Sequence, residues 1–588
     1  MVTRRLAFLI LASSVTSPGC QPGDLGEAPP SSSSDYAQSA PRDAFVEGSP
    51  YAYYGSENEW SRRLFSERTA DRQYKRRGQR QMLLILDGQP EKAAALCRAR
   101  LDSDPGDAES LFVLAVAQTR MGRLDAALET VDRALEAGLP MGRFLAGPRE
   151  LLAPLTATPA FRALGKRYSV EVIHGPMLGA VTAHRARFWV RAARPVAVSV
   201  RAVESGQPGP AHLSAAESTS PETDYTAVLE VGGLQPDTSY DYELVIGGET
   251  APGSARASFR TFPEDGHPGR FRIAFGGGAG FTPAHERIWD TIAAQRPEAL
   301  LLLGDNVYID LPEPPGAFHR YTYYRRQSRP EFRRLVRSTP VFTIWDDHDA
   351  AIDDSWLGPY VERPAWKQPT LELFRQNWNN PGYGDEEWPA CWYRFSLGDV
   401  DFFMLDGRFY RTNPFADSPT MLGPAQKARL LEGLRSSSAT FKVLVSPVPW
   451  SFESKPGSRD TWNGFQEERR EIFSFLATEG IEGVLLLSAD RHRSEAWRIE
   501  AEAPYPLYEL SSSRLTNVHF HSPVPGTLFS YNETCSFGLV TFDTDRDDPE
   551  ARFEVVDIDG RVVHTLAVKR RELSVRPEGA SGTEHPGS

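Results

Sequence analysis

The sequence predicts three folded parts in order: a short α-helical repeat block, a small β-sandwich and a larger α/β domain. Three patterns support this prediction. A repeat of about 34 residues lies near the N-terminus, apolar and polar residues alternate over residues 170–264, and the C-terminal half alternates buried strands with helical stretches. Because a chain of 588 residues is too long for one hydrophobic core, several domains are expected.

The composition is ordinary for globular protein, with 40% hydrophobic and 24% charged residues. The 78 acidic residues outnumber the 65 basic ones and give a formal net charge of −13. A polyanion would be repelled, so broad nucleic-acid binding is not expected. The basic run from Arg72 to Arg80 is a local exception, which we interpret as a solvated helix face.

Residues 1–20 have the organisation of an export signal. Basic residues precede an apolar run, Leu6 to Ala12, that is shorter than the roughly 20 residues of a membrane-spanning helix. Cys20 lies where a bacterial lipoprotein carries its lipid, but Ser17 stands where such sites usually have Leu, so a lipid anchor at Cys20 is left open. We expect an exported protein of the periplasm or cell envelope, attached to the membrane only if Cys20 carries a lipid.

Two segments are expected to lack a fold. Residues 21–50 are rich in Pro, Ser and Gly and bury too little apolar surface, so they are predicted to form a flexible tether. Residues 571–588 are predicted to be a disordered tail.

Cysteine usage argues against a disulfide framework. Beyond Cys20 the chain contains Cys97, Cys391 and Cys535, which are too few for such a framework in a chain of this size. Cys97 lies in an apolar helical run and is predicted to be a buried small hydrophobe. The sequence leaves open whether Cys391 pairs with Cys535.

Residues 51–168 are predicted to form the helical block. Aligning "DGQPEKAAALCRARLDSDP" with "MGRLDAALETVDRALEAGLP" places Gly88 over Gly122 and Leu101 over Leu135. The spacing is typical of tetratricopeptide helix pairs, with an ordinary helical hairpin as the alternative. Only about two units are visible, so the block is expected to dock on the rest of the chain or, through residues 51–160, on a protein partner.

Residues 170–264 are predicted to form an antiparallel β-sandwich. Segments such as "ARFWVRAARPVAVSVRAVE" alternate apolar and polar residues between Pro and Gly turns. The stretch "LQPDTSYDYEL" resembles the strand-turn-strand segment of fibronectin type III modules. We expect residues 170–264 to act as a spacer or to form a wall of the functional site.

In residues 270–570, polar residues follow several apolar runs. Strands that are buried on both faces and carry polar residues at their C-terminal ends are typical of an α/β domain with a site along one sheet edge. Asp305, Asp347, Asp490 and His492 follow three such runs. Clustered carboxylates near a core are unfavourable unless a positive charge compensates them, so the sequence predicts a metal centre.

The motifs in this half resemble the calcineurin-like metallophosphoesterase superfamily and, within it, the alkaline phosphatase D family. The matching segments are "GDNVY", "WDDHD", "LDGRFYR", "DTWNGFQEERREI", "SADRH" and "YELSSSRLT", and the resemblance spans residues 170–570. It implies an α/β fold: a metallophosphoesterase sandwich of two β-sheets flanked by helices, preceded by the smaller sandwich. It also implies an exported phosphomonoesterase or phosphodiesterase with two metal ions, typically calcium and ferric iron.

The resemblance implies a role for each site residue. The implied metal ligands are Asp305, Tyr308, Asp347, Asp490 and His492. Among them Asp305 would bridge the two ions, and carboxylate and phenolate oxygens do suit hard cations. His348 would be the catalytic residue that contacts phosphate and protonates the leaving group. Arg408 would bind the substrate phosphate, with a structural salt bridge as the alternative. Asp346 and Asp349 are expected to orient their neighbours.

Two positions depart from the family pattern. Gly278, in "FGGGAG", replaces the family's iron-binding Cys, and Ala489 replaces a Gly. The resemblance therefore implies calcium, with the iron site in doubt. The implied substrate is a phosphate ester, whether a small molecule, a lipid or a nucleotide. Two alternatives stay open: a degenerate domain that binds an anionic ligand without turnover, and an adaptor whose helical repeats bind a partner.

Overall fold

The computed structural model describes residues 63–206, 209–250, 257–500 and 503–575. The predicted export signal, the tether and Cys20 lie outside these residues. Order extends beyond the predicted start of the tail, because Arg570–Leu573 form a 3₁₀ helix and Leu573 is buried. Residues 576–588 lie outside the description. Among the described helices, none has both the length and the apolar character that crossing a membrane requires.

The N-terminal block is helical, as predicted. Its α-helices are α1 Glu67–Arg72, α2 Gln79–Leu86, α3 Pro90–Ser103, α4 Ala108–Arg120, α5 Leu124–Glu136, α6 Met141–Ala146, α7 Arg149–Thr156 and α8 Pro159–Tyr168. The repeated glycines now have a physical reason. Gly88 follows α2 and Gly122 follows α4, each with a positive φ, 74° and 73°, that ends a helix at little steric cost.

A β-sandwich follows. Its strands are β1 Val172–Gly179, β2 Arg185–Ala192, β3 Ala197–Glu204, β4 His212–Leu213, β5 Glu217–Ser218, β6 Thr226–Gly232, β7 Ser239–Ile246, β8 Glu249–Thr250 and β9 Ala257–Arg260. One sheet has the order β1-β2-β6 and the other β4-β3-β7-β8, with β5 on β3 and β9 on β7. All pairs are antiparallel. The finer fibronectin III-like assignment stays a prediction.

The C-terminal part is an α/β sandwich of two large sheets, as predicted. Its strands are β10 Arg270–Gly276, β11 Ala299–Leu303, β12 Val341–Ile344, β13 Tyr393–Leu397, β14 Val400–Met404, β15 Phe441–Val445, β16 Val484–Ser488, β17 Ser494–Ile499, β18 Leu507–Ser512, β19 Phe529–Tyr531, β20 Ser536–Asp543, β21 Glu550–Asp557 and β22 Val562–Lys569. Its helices are α9 Ile288–Ala294, α10 Ala317–Gln327, α11 Pro330–Val336, α12 Asp347–Ala350, α13 Lys367–Asn377, α14 Gly423–Ser436 and α15 Gln466–Thr478.

The sheet order brings the polar strand ends together. One sheet runs β12-β11-β10-β20-β21-β22 and the other β13-β14-β15-β16-β18-β17-β19. Strands β10, β11 and β12 are parallel, as are β14, β15, β16 and β18. Their carboxyl ends therefore meet along one edge of the sandwich, where the loops after β11, β12, β14 and β16 carry the predicted site residues.

The helical block docks on the α/β domain. Tyr321 and Arg325 of α10 face it: the Tyr321 hydroxyl donates to the Glu109 carboxylate, and Arg325 donates to the carbonyl of Arg77 at 2.9 Å. The interpretation of the basic run as a solvated helix face is wrong. Its Lys75 and Arg76 are only 6% and 2% exposed, because the run packs against the α/β domain.

The three described cysteines, Cys97, Cys391 and Cys535, are buried free thiols. Cys391 and Cys535 are therefore not paired with each other in this structure. Burial raises the pKa of Cys97 and Cys391, so neither has the character of a reactive thiolate.

Candidate metal centre

The centre of the site is a group of ionisable side chains at the ends of β11 and β12. Donor atoms of Asp305, Asp347 and His348 lie within 4.8 Å of one another, and a second group joins Asp347 to Asp353 and Asp354. The two groups share Asp347. Two sets of oxygen and nitrogen donors joined by one carboxylate are an arrangement that can hold a pair of metal ions.

Asp305 belongs to the first of these groups, with Asp347 and His348. Its backbone is held at φ 55°, a region that residues with a side chain rarely adopt and that is often found at functional sites. Tyr308 donates its hydroxyl proton to Asp305 Oδ2 at 2.7 Å, while Oδ1 is buried with no hydrogen-bond partner among the described residues. Burial, reinforced by Asp347, raises the pKa of Asp305 to about 7. A bound cation would satisfy the orphaned oxygen and keep the group ionised.

Tyr308 is held by contacts with Asn517, which follows β18, and with His348. Asn517 Nδ2 donates to the Tyr308 hydroxyl at 2.8 Å, and the Tyr308 ring lies 4.5 Å from that of His348. Burial raises the pKa of Tyr308 well above its usual value. Sequence reasoning missed Asn517; the available signal was its position directly after the "YELSSSRLT" segment.

His348 belongs to a buried chain of charges. Its Nδ1 lies 2.5 Å from Asp310 Oδ1, and Arg76 Nη2 lies 2.6 Å from Asp310 Oδ2. Although burial opposes ionisation of both groups, Asp310 and Asp305 raise the pKa of His348 well above its usual value, and Arg76 and His348 lower that of Asp310 to about 2. No sequence motif singles out Asp310 or Arg76. With Nδ1 engaged, Nε2, which lies 3.8 Å from Asp353 Oδ1 and beyond hydrogen-bond distance of it, is the nitrogen of His348 left for chemistry.

Asp490 and His492 follow β16 and also have positive φ values, 63° and 46°. They lie outside the tight donor group around Asp305. His492 Nδ1 is buried without a hydrogen-bond partner among the described residues, and burial together with His519 lowers the pKa of His492 well below its usual value. A neutral imidazole with an unpaired nitrogen is the form that binds a metal. His519 and His521, which sequence reasoning also missed, have ring centroids 5.2 and 5.9 Å from that of His492.

Asp349 and Asp346 organise the neighbouring backbone and side chains. Asp349 accepts hydrogen bonds from the backbone N–H groups of Asn306, Val307 and Asp346 at 3.0–3.2 Å. These contacts join the loop after β11 to the loop after β12. Gly304 permits this approach, because an added Cβ would lie 2.5 Å from the Cβ of Asp346.

Arg408 is completely buried and already paired. Its guanidinium donates to Asp346 and Asp460 at 2.5 Å and to the carbonyl of Ser355 at 3.0 Å, and it lies 3.6 Å from Asp347. Although burial disfavours its charge, Asp346 and Asp460 raise the pKa of Arg408 well above its usual value. This geometry favours the structural salt bridge over phosphate binding for Arg408.

Arg408→Met should destabilise the protein by about 3–5 kcal/mol, because it leaves the buried Asp346 and Asp460 carboxylates without their main cation. Urea unfolding measures the change. Arg435→Met, which removes an exposed arginine paired with Glu479, is the control and should leave the unfolding midpoint unchanged. Equal stability of the Arg408→Met variant and the wild type would show that the network is not structural.

The glycine run before α9 is tightly packed. Gly278 has φ 68°, and an added Cβ would lie 2.9 Å from His492 Nδ1 and 3.0 Å from the backbone N of Arg514. An added Cβ at Gly277 would lie 2.7 Å from the Cβ of Ala489, so the methyl group of Ala489 takes the room that a side chain at 277 would need. We therefore expect Gly278→Cys to displace His492 rather than simply to restore the family's thiolate.

The donor set fits hard cations. Carboxylates predominate, with one phenol and imidazole nitrogens, and thiols are absent from the donor groups of the described residues. Asp305 Oδ1 and His492 Nδ1 are buried, have no hydrogen-bond partner among the described residues, and so suit cation binding. Oxygen-rich sites of this kind suit calcium, magnesium or manganese.

Comparison with known protein families gives three matches along the chain. Residues 273–534 match the PhoD-like phosphatase family, and residues 84–139 match the tetratricopeptide repeat. Residues 169–263, the β-sandwich, match a domain of unknown function.

Individual relatives agree with these matches. The chain is 22% identical over 355 residues to alkaline phosphatase D of Bacillus subtilis (strain 168), a match that spans 52% of this chain and 58% of that protein. A solved structure of PhoD superposes with a TM-score of 0.55 at 17% identity, covering 67% of this chain and 88% of the other. A purple acid phosphatase from yellow lupin (Lupinus luteus) seeds gives 0.50 at 12% identity, covering 68% and 76%.

At these identities the superpositions establish the fold. The family match adds that the site lies in the matched segment, since Asp305, Asp347 and His492 all fall within residues 273–534. The resemblance to the alkaline phosphatase D family is thereby confirmed: residues 273–534 match the PhoD-like phosphatase family, and a segment that matches the tetratricopeptide repeat precedes them.

Proposed function

We propose that the protein is an exported, metal-dependent phosphoesterase that hydrolyses phosphate esters. The observation that carries this proposal is the buried donor group of Asp305, Asp347 and His348 at the strand-end edge of the segment that matches the PhoD-like phosphatase family. Support for activity also comes from the name of the Bacillus subtilis relative, an alkaline phosphatase. Export rests on the sequence of residues 1–20.

Different side chains are proposed to bind the metal ions and to donate the proton. Asp305, Asp347 and His492 are proposed to hold the metal ions with Tyr308 and Asp490. When bound, such ions neutralise phosphoryl oxygens and lower the pKa of a water molecule. His348 is proposed to face the phosphate and donate a proton to the leaving oxygen through Nε2, since Asp310 holds Nδ1 and favours the charged imidazole.

Hydrolysis of a chromogenic phosphodiester and of the matching monoester tests this proposal. The protein should cleave at least one of the two, lose the activity after chelation and regain it when divalent cations are restored. Protein that binds metal and inorganic phosphate but cleaves neither ester would favour the degenerate, anion-binding alternative.

The position of the helical block bears on the adaptor alternative. Gln79 of α2 donates to the carbonyl of Tyr308 at 2.8 Å, and Arg76 binds Asp310, so this segment packs directly on the metal centre. A segment with such contacts serves the site in the same chain. A protein partner for residues 51–160 stays a prediction, which pull-down of the full chain and of a variant altered on the exposed face of α3 would test.

We also propose that the metal pair is poor in iron. Gly278 offers no thiolate, and without that soft ligand the remaining oxygen and nitrogen donors favour calcium, magnesium or manganese. Purified protein should contain less than about one iron per chain, and added divalent cations should raise its activity. Stoichiometric iron, with activity indifferent to added divalent ions, would contradict this proposal.

A further inference from the structure

Lys75 reaches the metal centre from outside the phosphatase domain. It lies in the 3₁₀ turn Tyr74–Arg76 of the helical block. Its Nζ stands 3.4 Å from the centroid of the Tyr308 ring, and the residue is buried. Among the described residues, no hydrogen bond or ion pair engages Lys75 Nζ. The residue is 6% exposed and its ammonium group contacts the Tyr308 ring face, but no described residue accepts a hydrogen bond from its three donors, so they are available to an anionic ligand.

The backbone on both sides of Lys75 is held in place. Arg325 donates to the carbonyl of Lys75 and, at 2.9 Å, to that of Arg77. Arg76 forms the 2.6 Å ion pair with Asp310. Moving the turn away from the site would break these buried charged contacts. The fold therefore fixes the position of Lys75.

The glycine run leaves room for the lysine stem. An added Cβ at Gly280 would lie 2.9 Å from Lys75 Cδ, so a glycine there keeps the path of the side chain open. The turn that contains Lys75 and the glycine run that contains Gly280 are more than 200 residues apart in the chain. They pack together so that the Lys75 ammonium group lies beside the metal centre. Such a fit indicates a specific role rather than incidental burial of a surface lysine.

Charge decides which ligand suits Lys75. Burial, reinforced by the guanidinium of Arg76, lowers the pKa of Lys75 to about 7, while the carboxylates of Asp305, Asp310 and Asp353 favour its charged form. Arg76 already compensates Asp310, and metal ions would compensate Asp305 and Asp353. The ammonium would then face a site with no negative charge left for it, and an anionic ligand would supply that charge.

We propose that Lys75 binds a non-bridging oxygen of the substrate's phosphoryl group, so that the helical block contributes a substrate-binding residue to the site. This inference rests on the proposed phosphoesterase function. An ammonium group binds phosphate as a compact point charge, and here it would act beside the metal ions on the face of Tyr308.

The test compares binding of inorganic phosphate to the metal-loaded full chain by calorimetry. Lys75→Met should raise the Kd for phosphate by roughly 10- to 100-fold, the loss expected for one hydrogen bond to a charged group. Metal content should not change. Lys75→Arg should recover part of the affinity, and Lys75→Gln serves as the uncharged variant if Lys75→Met is not folded.

Lys442→Met is the matched control. Lys442 is another buried lysine, but its Nζ donates to the carbonyl of Ala439, away from the metal centre. Its removal should leave the Kd for phosphate unchanged.

Two results would overturn the role of Lys75: a Kd within about twofold of wild type in Lys75→Met, or a gain of bound metal in that variant, which would make the ammonium a stand-in for a cation. Wild-type protein that binds no phosphate would also overturn it. These outcomes are separate from failure of the proposed function, in which wild-type protein binds phosphate through Lys75 but hydrolyses no phosphate ester.

Discussion

Asp305→Asn should remove bound metal and hydrolytic activity together. The amide is nearly the same size as the carboxylate and can still accept the Tyr308 hydrogen bond, so the fold should persist. It has no negative charge, however, and its second polar atom is an NH₂ group that repels a cation. Because the family resemblance implies that Asp305 contacts both ions, the binding of both ions should weaken. The metal content measured by elemental analysis and the rate measured in the chromogenic assay should fall in parallel.

Asp401→Asn controls for the loss of a buried carboxylate elsewhere. Asp401 lies on β14 and pairs with Arg394 at 2.6 Å, outside the metal centre. This variant should keep its metal. Full metal occupancy in Asp305→Asn would instead show that Asp305 is not a ligand, and would remove the bridge from the proposed site.

His348→Ala should lower turnover by roughly 10²- to 10⁴-fold, the usual span for loss of a general acid or base. Metal content should stay nearly constant, since Asp310 engages Nδ1 and the proposed role of Nε2 is proton transfer to the leaving group. The variant should also lose least on substrates whose leaving group needs no proton. Comparing a nitrophenyl ester with an alkyl ester measures that difference.

This experiment distinguishes a general acid from a metal ligand. The distinction is needed because His348 also lies in the tight donor group with Asp305 and Asp347. A histidine that binds a metal often donates its other nitrogen to a carboxylate, and Asp310 is placed to accept. If metal content and turnover fall together in His348→Ala, His348 is a ligand. His267→Ala, which removes an exposed histidine, is the control and should change neither quantity.

The strand-end residues could be predicted because their signal is local. Asp305 and Asp347 each follow a short apolar run, and parallel strands bring such ends to one edge of a sheet. The two large sheets and the helical repeat were predictable for the same reason, since periodicity and the glycines at 88 and 122 are read within one segment.

The rest depends on contacts between distant segments. Nothing in the run from Arg72 to Arg80 shows that Lys75 and Arg76 are buried, because basic residues on a short helix also suit a solvated face. Only the docked fold pairs Arg76 with Asp310. Arg408 is a similar case. Its guanidinium is paired with Asp460, which lies 52 residues further along the chain, and this contact, which favours a structural role over phosphate binding, is visible only in the folded protein.

Elemental analysis of full-length protein purified without chelator is the most direct test of the metal centre. The proposed metal centre should hold about two metal ions per chain, with iron as the minor species, and hydrolysis should rise and fall with their occupancy. Protein that hydrolyses phosphate esters at full rate with no bound metal, or that takes up no metal when divalent cations are supplied, would contradict the proposed metal-dependent site.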